Sequence, residues 1–186
     1  MLILVGNIII AGFKGCGKTA TGKAIAKRLG VEFFDTDCVL ERIHAEEKAE
    51  KIPFREIRRK YGAEYFSEIE AKAVHIVAKE NNCVISLGGG TLKNPESIQL
   101  LKNSGKVIYL KDSPKNLLNR MRRTGLPAFL DPSDPAGSMM REYALREPIY
   151  EKTADITIDC AEISLNKAVE IIIEKLGLYE PNKSLA

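Results

Sequence analysis

Metal-binding side chains, net charge and long apolar runs are all scarce in this chain, and each scarcity closes off a class of function. Its four cysteines, Cys16, Cys38, Cys83 and Cys160, lie far apart with no Cys-x-x-Cys pair, so neither a zinc site nor a disulfide framework is expected. Three of them are expected to act as small buried hydrophobes. Cys16 stands apart because it falls in a glycine loop, where a small side chain suffices and oxidation would inhibit. The net charge is only +3, with 28 basic residues scattered among 25 acids, which gives no broad basic face for nucleic acid. No stretch approaches the roughly 18 apolar residues of a membrane span. The apolar opening, residues 1–5, lacks a basic n-region and is interrupted by Gly6-Asn7, so it reads as a strand and not a signal peptide. Internal repeats and low-complexity segments are lacking too. What remains is a cytoplasmic chain of 186 residues, expected to be one domain and a monomer, with no nucleic-acid or membrane partner and with room for a proper core.

What is present is more specific. The apolar run Asn7-Ile8-Ile9-Ile10-Ala11 leads into Gly12-Phe13-Lys14-Gly15-Cys16-Gly17-Lys18-Thr19, which has the spacing G-x-x-x-x-G-K-[ST]. A buried strand, a glycine loop and then a helix form the context of a phosphate-binding P-loop. The glycines let backbone N–H groups turn toward one point at a helix N-terminus. Gly12, Gly15, Cys16, Gly17 and Ala20 are the candidate wall for a nucleotide. Lys18 brings a point charge near its β- and γ-phosphates, and Thr19 brings a hydroxyl for Mg²⁺.

Short apolar strands over residues 7–11, 32–35, 83–87, 106–110 and 155–158 alternate with helical patterns over 18–29, 38–48, 53–80 in two pieces, 95–103, 114–123, 138–151 and 165–177. That alternation predicts an α/β fold with a parallel sheet. Gly62 marks the break within the third helix, and Asn94-Pro95 and Ser113-Pro114 are helix starts. Gly177 closes the last helix, with a frayed tail over 180–186. Residues 124–137 hold three prolines and two glycines between helices. A loop of this length reads as an active-site lid, the alternative being an idle surface excursion.

Two further features fall at carboxyl ends of strands, where open parallel sheets bind ligands. The second strand ends in Asp35-Thr36-Asp37, a pair suited to holding Mg²⁺ and to orienting and deprotonating a hydroxyl during phosphoryl transfer. The alternative is that one aspartate caps a helix starting at Cys38. The third strand ends in Gly88-Gly89-Gly90-Thr91, where the backbone is open to substrate oxygens or simply forms a tight turn.

The order of these elements, followed by Leu117-Leu118-Asn119-Arg120, the lid and Arg146-Glu147-Pro148-Ile149-Tyr150, resembles the shikimate kinase family of small P-loop kinases over nearly the whole chain. The resemblance implies a P-loop NTPase-type three-layer sandwich with a five-stranded parallel sheet flanked by helices, ATP and Mg²⁺ as cofactors, and phosphorylation of the 3-hydroxyl of shikimate. By position it implies that Lys18 and Thr19 serve ATP and Mg²⁺, and that Asp35 sits near the metal. Asp37 would act as the base on the substrate hydroxyls. Gly88, Gly89 and Gly90 would meet the substrate, Arg120 would lie near the adenine, and Arg146 would pair with the substrate carboxylate.

Two departures fall on substrate-handling positions. The family commonly reads Gly-Glu-x-x-Phe-Arg where this chain has Gly62-Ala63-Glu64-Tyr65-Phe66-Ser67, and Arg-Pro-Leu-Leu where it has Leu126-Pro127-Ala128-Phe129. An arginine is therefore missing at Ser67 and another at Leu126. Arg58 is a candidate to grip the carboxylate in place of Ser67, since its planar fork suits that group; a solvated helix face shared with Arg55, Arg59 and Lys60 is the plainer reading. Lys14, Arg122 and Arg123 are candidates for the missing lid charge. The departures keep two alternatives open, a related kinase for another hydroxy acid or polyol and a nucleotide-binding protein without catalysis.

Overall fold

The structure, a computed structural model, describes residues 6–127 and 129–178. The strand expected over 1–5, the frayed tail over 180–186 and Ala128 of the lid lie outside the described residues. Five parallel strands form one sheet in the order β2-β3-β1-β4-β5, namely β1 (Asn7–Gly12), β2 (Glu32–Asp35), β3 (Cys83–Ser86), β4 (Gly105–Lys111) and β5 (Ile156–Asp159). All six residues of β1 are buried. This explains why it reads as an unbroken apolar run: a central parallel strand is covered on both faces. Ile8, Ile9, Ile10, Val84, Ile85, Val107, Ile108 and Leu110 make the sheet's part of the core.

The flanking helices are α1 (Lys18–Leu29), α2 (Thr36–Lys48), α3 (Phe54–Val77), α4 (Pro95–Ser104), α5 (Pro114–Thr124), α6 (Pro135–Thr153) and α7 (Leu165–Lys175), with a 3₁₀ turn at Thr91–Lys93. α1 packs on α7 and β3, whereas α4 and α6 pack against β4. The expected kink in α3 is at Gly62, whose φ of 85° and ψ of 176° interrupt the helix. Asn94 and Ser113 cap the helices whose first residue is proline.

Two helices start earlier than the sequence pattern predicts. α2 begins at Thr36 and not Cys38, with Asp35 as its N-cap. α6 begins at Pro135 and not 138, because Asp134 caps it by accepting from the Gly137 N–H at 2.9 Å. The lid is thereby shortened to residues 125–134. Among the described residues, no helix is long and apolar enough to cross a membrane.

Candidate active site

β1 sits between β3 and β4, so the chain leaves its carboxyl end at the point where the strand order reverses, the usual ligand crevice of an open α/β sheet. The loop enters α1 through Gly17, an N-cap with left-handed φ of 95° and no side-chain cap. A Cβ on Gly12 would lie 2.7 Å from the Leu110 carbonyl oxygen and 2.8 Å from the Cys16 sulfur, so only glycine passes this turn. The first-turn N–H groups of α1 have neither a capping side chain nor an acidic neighbour, which leaves them to an anion. Lys18 is buried, and its Nζ donates to the carbonyl oxygens of Gly12 (2.9 Å) and Phe13 (3.1 Å). The Thr19 hydroxyl donates to Asp35 Oδ2 (2.9 Å) and lies 3.5 Å from Ser86 Oγ. A carboxylate and two hydroxyls are hard oxygen donors of the kind Mg²⁺ shares with phosphates and water. Among the described residues, no group of three His, Cys, Asp or Glu forms an all-protein cage. The residues therefore fit a Mg²⁺ that arrives with a nucleotide.

The aspartates meet differently from the sequence expectation. Asp35 ends β2 opposite Ser86 and accepts from the Asp37 N–H through Oδ1 at 3.0 Å. Asp37 lies in the first turn of α2, so a helix cap and not strand alternation brings the two carboxylates together. Capping and metal contact, alternatives in the sequence, are compatible in one side chain: one oxygen of Asp35 caps and the other meets Thr19. Burial, and then the charge of Asp35, push Asp37 up to about 6 against the pull of Lys18. A Cβ on Gly88 would lie 2.6 Å from Asp37 Oδ1, 3.2 Å from Thr91 Oγ1 and 3.3 Å from Glu70 Oε1. The missing side chain of Gly88 is what lets these groups close on the backbone. The Gly88 N–H donates to Thr36 Oγ1 at 2.7 Å. Glu70 accepts from Thr91 Oγ1 at 3.1 Å, and burial raises its carboxyl above the usual range. Sequence reasoning missed Glu70, Thr36 and Ser86. Only Ser86 carried a readable signal, as the residue that ends β3 level with Asp35.

Basic side chains reach the same region from three elements. Arg146 and Tyr150, one helical turn apart on α6, both donate to the Gly89 carbonyl, at 3.5 and 2.8 Å. The buried Arg146 guanidinium lies over the rings of Phe13 (5.0 Å) and of the lid residue Phe129 (4.6 Å) and pairs with Glu142. Its Nε has no partner among the described residues. Arg120 donates to the Gly15 carbonyl at 3.0 Å and lies 2.6 Å from Asp112 Oδ2, though the angle leaves that oxygen without a hydrogen bond. It braces the glycine loop from α5. Of the basic residues on α3, Arg59 pairs with Glu56 and Lys60 with Glu50, away from the site. Arg58 lies 5.7 Å from the Phe66 ring and its charge acts on Glu70, while Arg55 acts on Lys14. Ser67, Ala63, Arg122 and Arg123 are exposed.

The cysteine expectation needs correction. Cys16, Cys83 and Cys160 are buried and Cys38 is exposed, since the earlier start of α2 turns Cys38 outward. Burial also raises the Cys16 thiol, which removes the basis for oxidation there.

Comparisons with known proteins give the same picture. A family model described as shikimate kinase matches residues 14–177. The shikimate kinase of Caldanaerobacter subterraneus subsp. tengcongensis is 35% identical over 167 residues, covering 90% of this chain and 94% of its own. That of Burkholderia lata is 33% identical over 172 residues, covering 92% and 90%. A solved structure of shikimate kinase from Acinetobacter baumannii in complex with shikimate matches with a TM-score of 0.83 at 26% identity, covering 93% of this chain and 94% of that one.

Proposed function

This chain belongs to the shikimate kinase family, and from that premise we propose that it transfers the γ-phosphoryl group of ATP to the 3-hydroxyl of shikimate. The observation that carries the reading is the meeting of the Lys18 loop, the Thr19–Asp35 pair and the half-buried Asp37 at the Gly88 wall. The acceptor oxygen forms a bond to the γ-phosphorus as the bond from that phosphorus to the ADP oxygen breaks. The hydroxyl proton leaves to the carboxylate of Asp37, whose position near 6 suits a general base at neutral pH. Lys18 exchanges its loop carbonyls for phosphate oxygens, and the N–H groups of the loop and of α1 hold the rest of the chain of phosphates. Mg²⁺, held by Thr19 and Asp35, neutralises phosphate charge. Gly88, Gly89 and Gly90 bring bare backbone to the acceptor. Arg146 offers its unpaired Nε and its fork to the acceptor carboxylate, and Arg58 approaches from the α3 side. Phe129 of the lid packs edge-on against Phe13 of the loop, at 5.8 Å, so closing the lid covers the site and excludes water. Every group named comes from one chain, which supports a monomer as the working unit.

A second reading draws on Ser67 and Leu126, which leave two substrate-facing positions without arginine: the acceptor is a different hydroxy acid or polyol. One assay separates the readings. ADP release is followed with Mg-ATP alone, with shikimate, and with a panel of sugar acids and polyols. Turnover dependent on shikimate is the expected result. Turnover only with another acceptor selects the second reading, and tight ATP binding with no turnover on any acceptor refutes both.

A further inference from the structure

The lid, residues 125–134, contains no lysine or arginine. Phosphoryl transfer spreads negative charge over three equatorial oxygens, and cations beside them supply much of the rate. In this chain, a lid that closes with Leu126, Pro127 and Phe129 brings cover but no charge. Most basic residues near the site are already engaged: Lys18 on two loop carbonyls, Arg146 on Glu142 and two aromatic rings, and Arg120 on Gly15 and Asp112. Arg122 and Arg123 are exposed at the end of α5.

Lys14 is different. It is the residue at the tip of the glycine loop that faces the triglycine turn, its backbone nitrogen 3.8 Å from where a Cβ of Gly89 would stand. Its side chain is half-buried, and among the described residues no hydrogen bond or ion pair holds it. The charges acting on its ammonium are Arg55, Asp37 and Lys18. Lys14 therefore lies between the base that receives the acceptor's proton and the lysine assigned to the β- and γ-phosphates. Burial and the neighbouring Arg55 hold the ammonium below the ordinary lysine range, the condition of a cation kept without its counter-ion. An anion arriving between Lys18 and Asp37 would relieve it.

We infer that Lys14 is a catalytic residue that stabilises the transferring phosphoryl group in the transition state, the charge being delivered by the loop beneath the phosphate and not by the lid above it. The inference rests on the proposed phosphoryl transfer, and its test includes an arm that needs no acceptor.

The test uses the full chain with Lys14→Met, which keeps the stem and removes the charge, with Lys14→Arg, and with Lys14→Met combined with Leu126→Arg. In the first arm, affinity for Mg-ADP is compared with and without aluminium fluoride, a mimic of the group in flight. Lys14→Met should lose about 10²-fold in the extra affinity that the mimic gives and stay within about threefold for Mg-ADP alone. In the second arm, with whichever acceptor the wild-type protein turns over, kcat should fall about 10²-fold while the acceptor KM moves less than about threefold. Lys14→Arg should retain most of the rate, and Leu126→Arg should restore at least about tenfold in the Lys14→Met background, because it returns a cation to the lid side of the same oxygens. Unchanged mimic affinity would overturn the inference. So would a loss confined to the acceptor KM, which would assign Lys14 to the acceptor's carboxylate. A wild-type protein that turns over no acceptor but binds the mimic through Lys14 would refute the proposed reaction and leave the Lys14 assignment standing.

Discussion

Replacing Gly88 by alanine isolates the closeness of the base to the backbone. Gly88 does not adopt a positive φ, so alanine there is conformationally allowed, and what its Cβ meets is side-chain tips: Asp37 Oδ1 at 2.6 Å, Thr91 Oγ1 at 3.2 Å and Glu70 Oε1 at 3.3 Å. Ordinary van der Waals contact begins at 3.4 Å, so Asp37 must retreat by about 0.8 Å while the other two move by a few tenths. The fold itself should be nearly indifferent. Loss of chain freedom in the unfolded state favours alanine by about 0.4–1 kcal/mol, a gain of similar size to the cost of shifting three side-chain ends. Catalysis should not be indifferent, because misplacing a reacting group by about 1 Å costs on the order of 10²-fold. Gly88→Ala is therefore expected to melt within about 3 °C of the wild type and to lose about 10²-fold in kcat/KM, most of it in kcat. ADP release with Mg-ATP and acceptor, together with a thermal melt, reads both quantities. A variant that folds and retains kcat/KM within threefold would refute the placement of Asp37 against Gly88.

Asp37→Asn gives the complementary result in protein kept free of Mg²⁺ by chelator. A carboxyl raised to about 6 from its ordinary 3.8 penalises the folded state when ionised. The stability it contributes is fully present below pH 3.8 and is lost as pH rises through about 6. Asn should therefore be more stable than the wild type at pH 7.5 by on the order of 2 kcal/mol, with the difference vanishing toward pH 4; a less stable variant at pH 7.5 would contradict this. Arg58→Ala is expected to raise the acceptor KM about tenfold with kcat little changed, and an unmoved KM would return Arg58 to the solvated face of α3. Maleimide labelling of the native protein should modify Cys38 first and leave Cys16 untouched until denaturant is added. Equal labelling of both would contradict the burial of Cys16.

Where the sequence was legible, the signal was local. The glycine loop follows an apolar strand and precedes a helix, and all three are set by contiguous residues. Gly62 broke α3 as expected because a left-handed residue has no other reading in a helical run. The misplacements were of two kinds. Asp134-Pro135 is the same cap-and-proline start as Asn94-Pro95, but the density of Pro132, Pro135 and Gly137 concealed it inside a predicted loop. Asp35 and Asp37 were expected to share a face by strand periodicity, whereas a helix cap at the strand's end brings them together; the convergence was anticipated for the wrong reason. Glu70 was invisible because its role depends on α3 folding back over Gly88, a contact between residues 18 apart with no spacing rule linking them. The direction of Arg58, as against Arg59 and Lys60, likewise depends on which acids α2 and the α2–α3 connection present.

The account stands or falls on whether the loop lysine and the helix-capped acids act on one phosphoryl group. Phosphorus NMR of a reaction containing Mg-ATP and shikimate reads this directly, in the wild type and in Asp37→Asn. The expected spectrum of the wild type gains a phosphate monoester resonance on shikimate in step with ADP, while Asp37→Asn leaves ATP intact or transfers at least about 10²-fold more slowly. Phosphorus appearing only as inorganic phosphate, or equal monoester formation by the two proteins, would contradict the central claim.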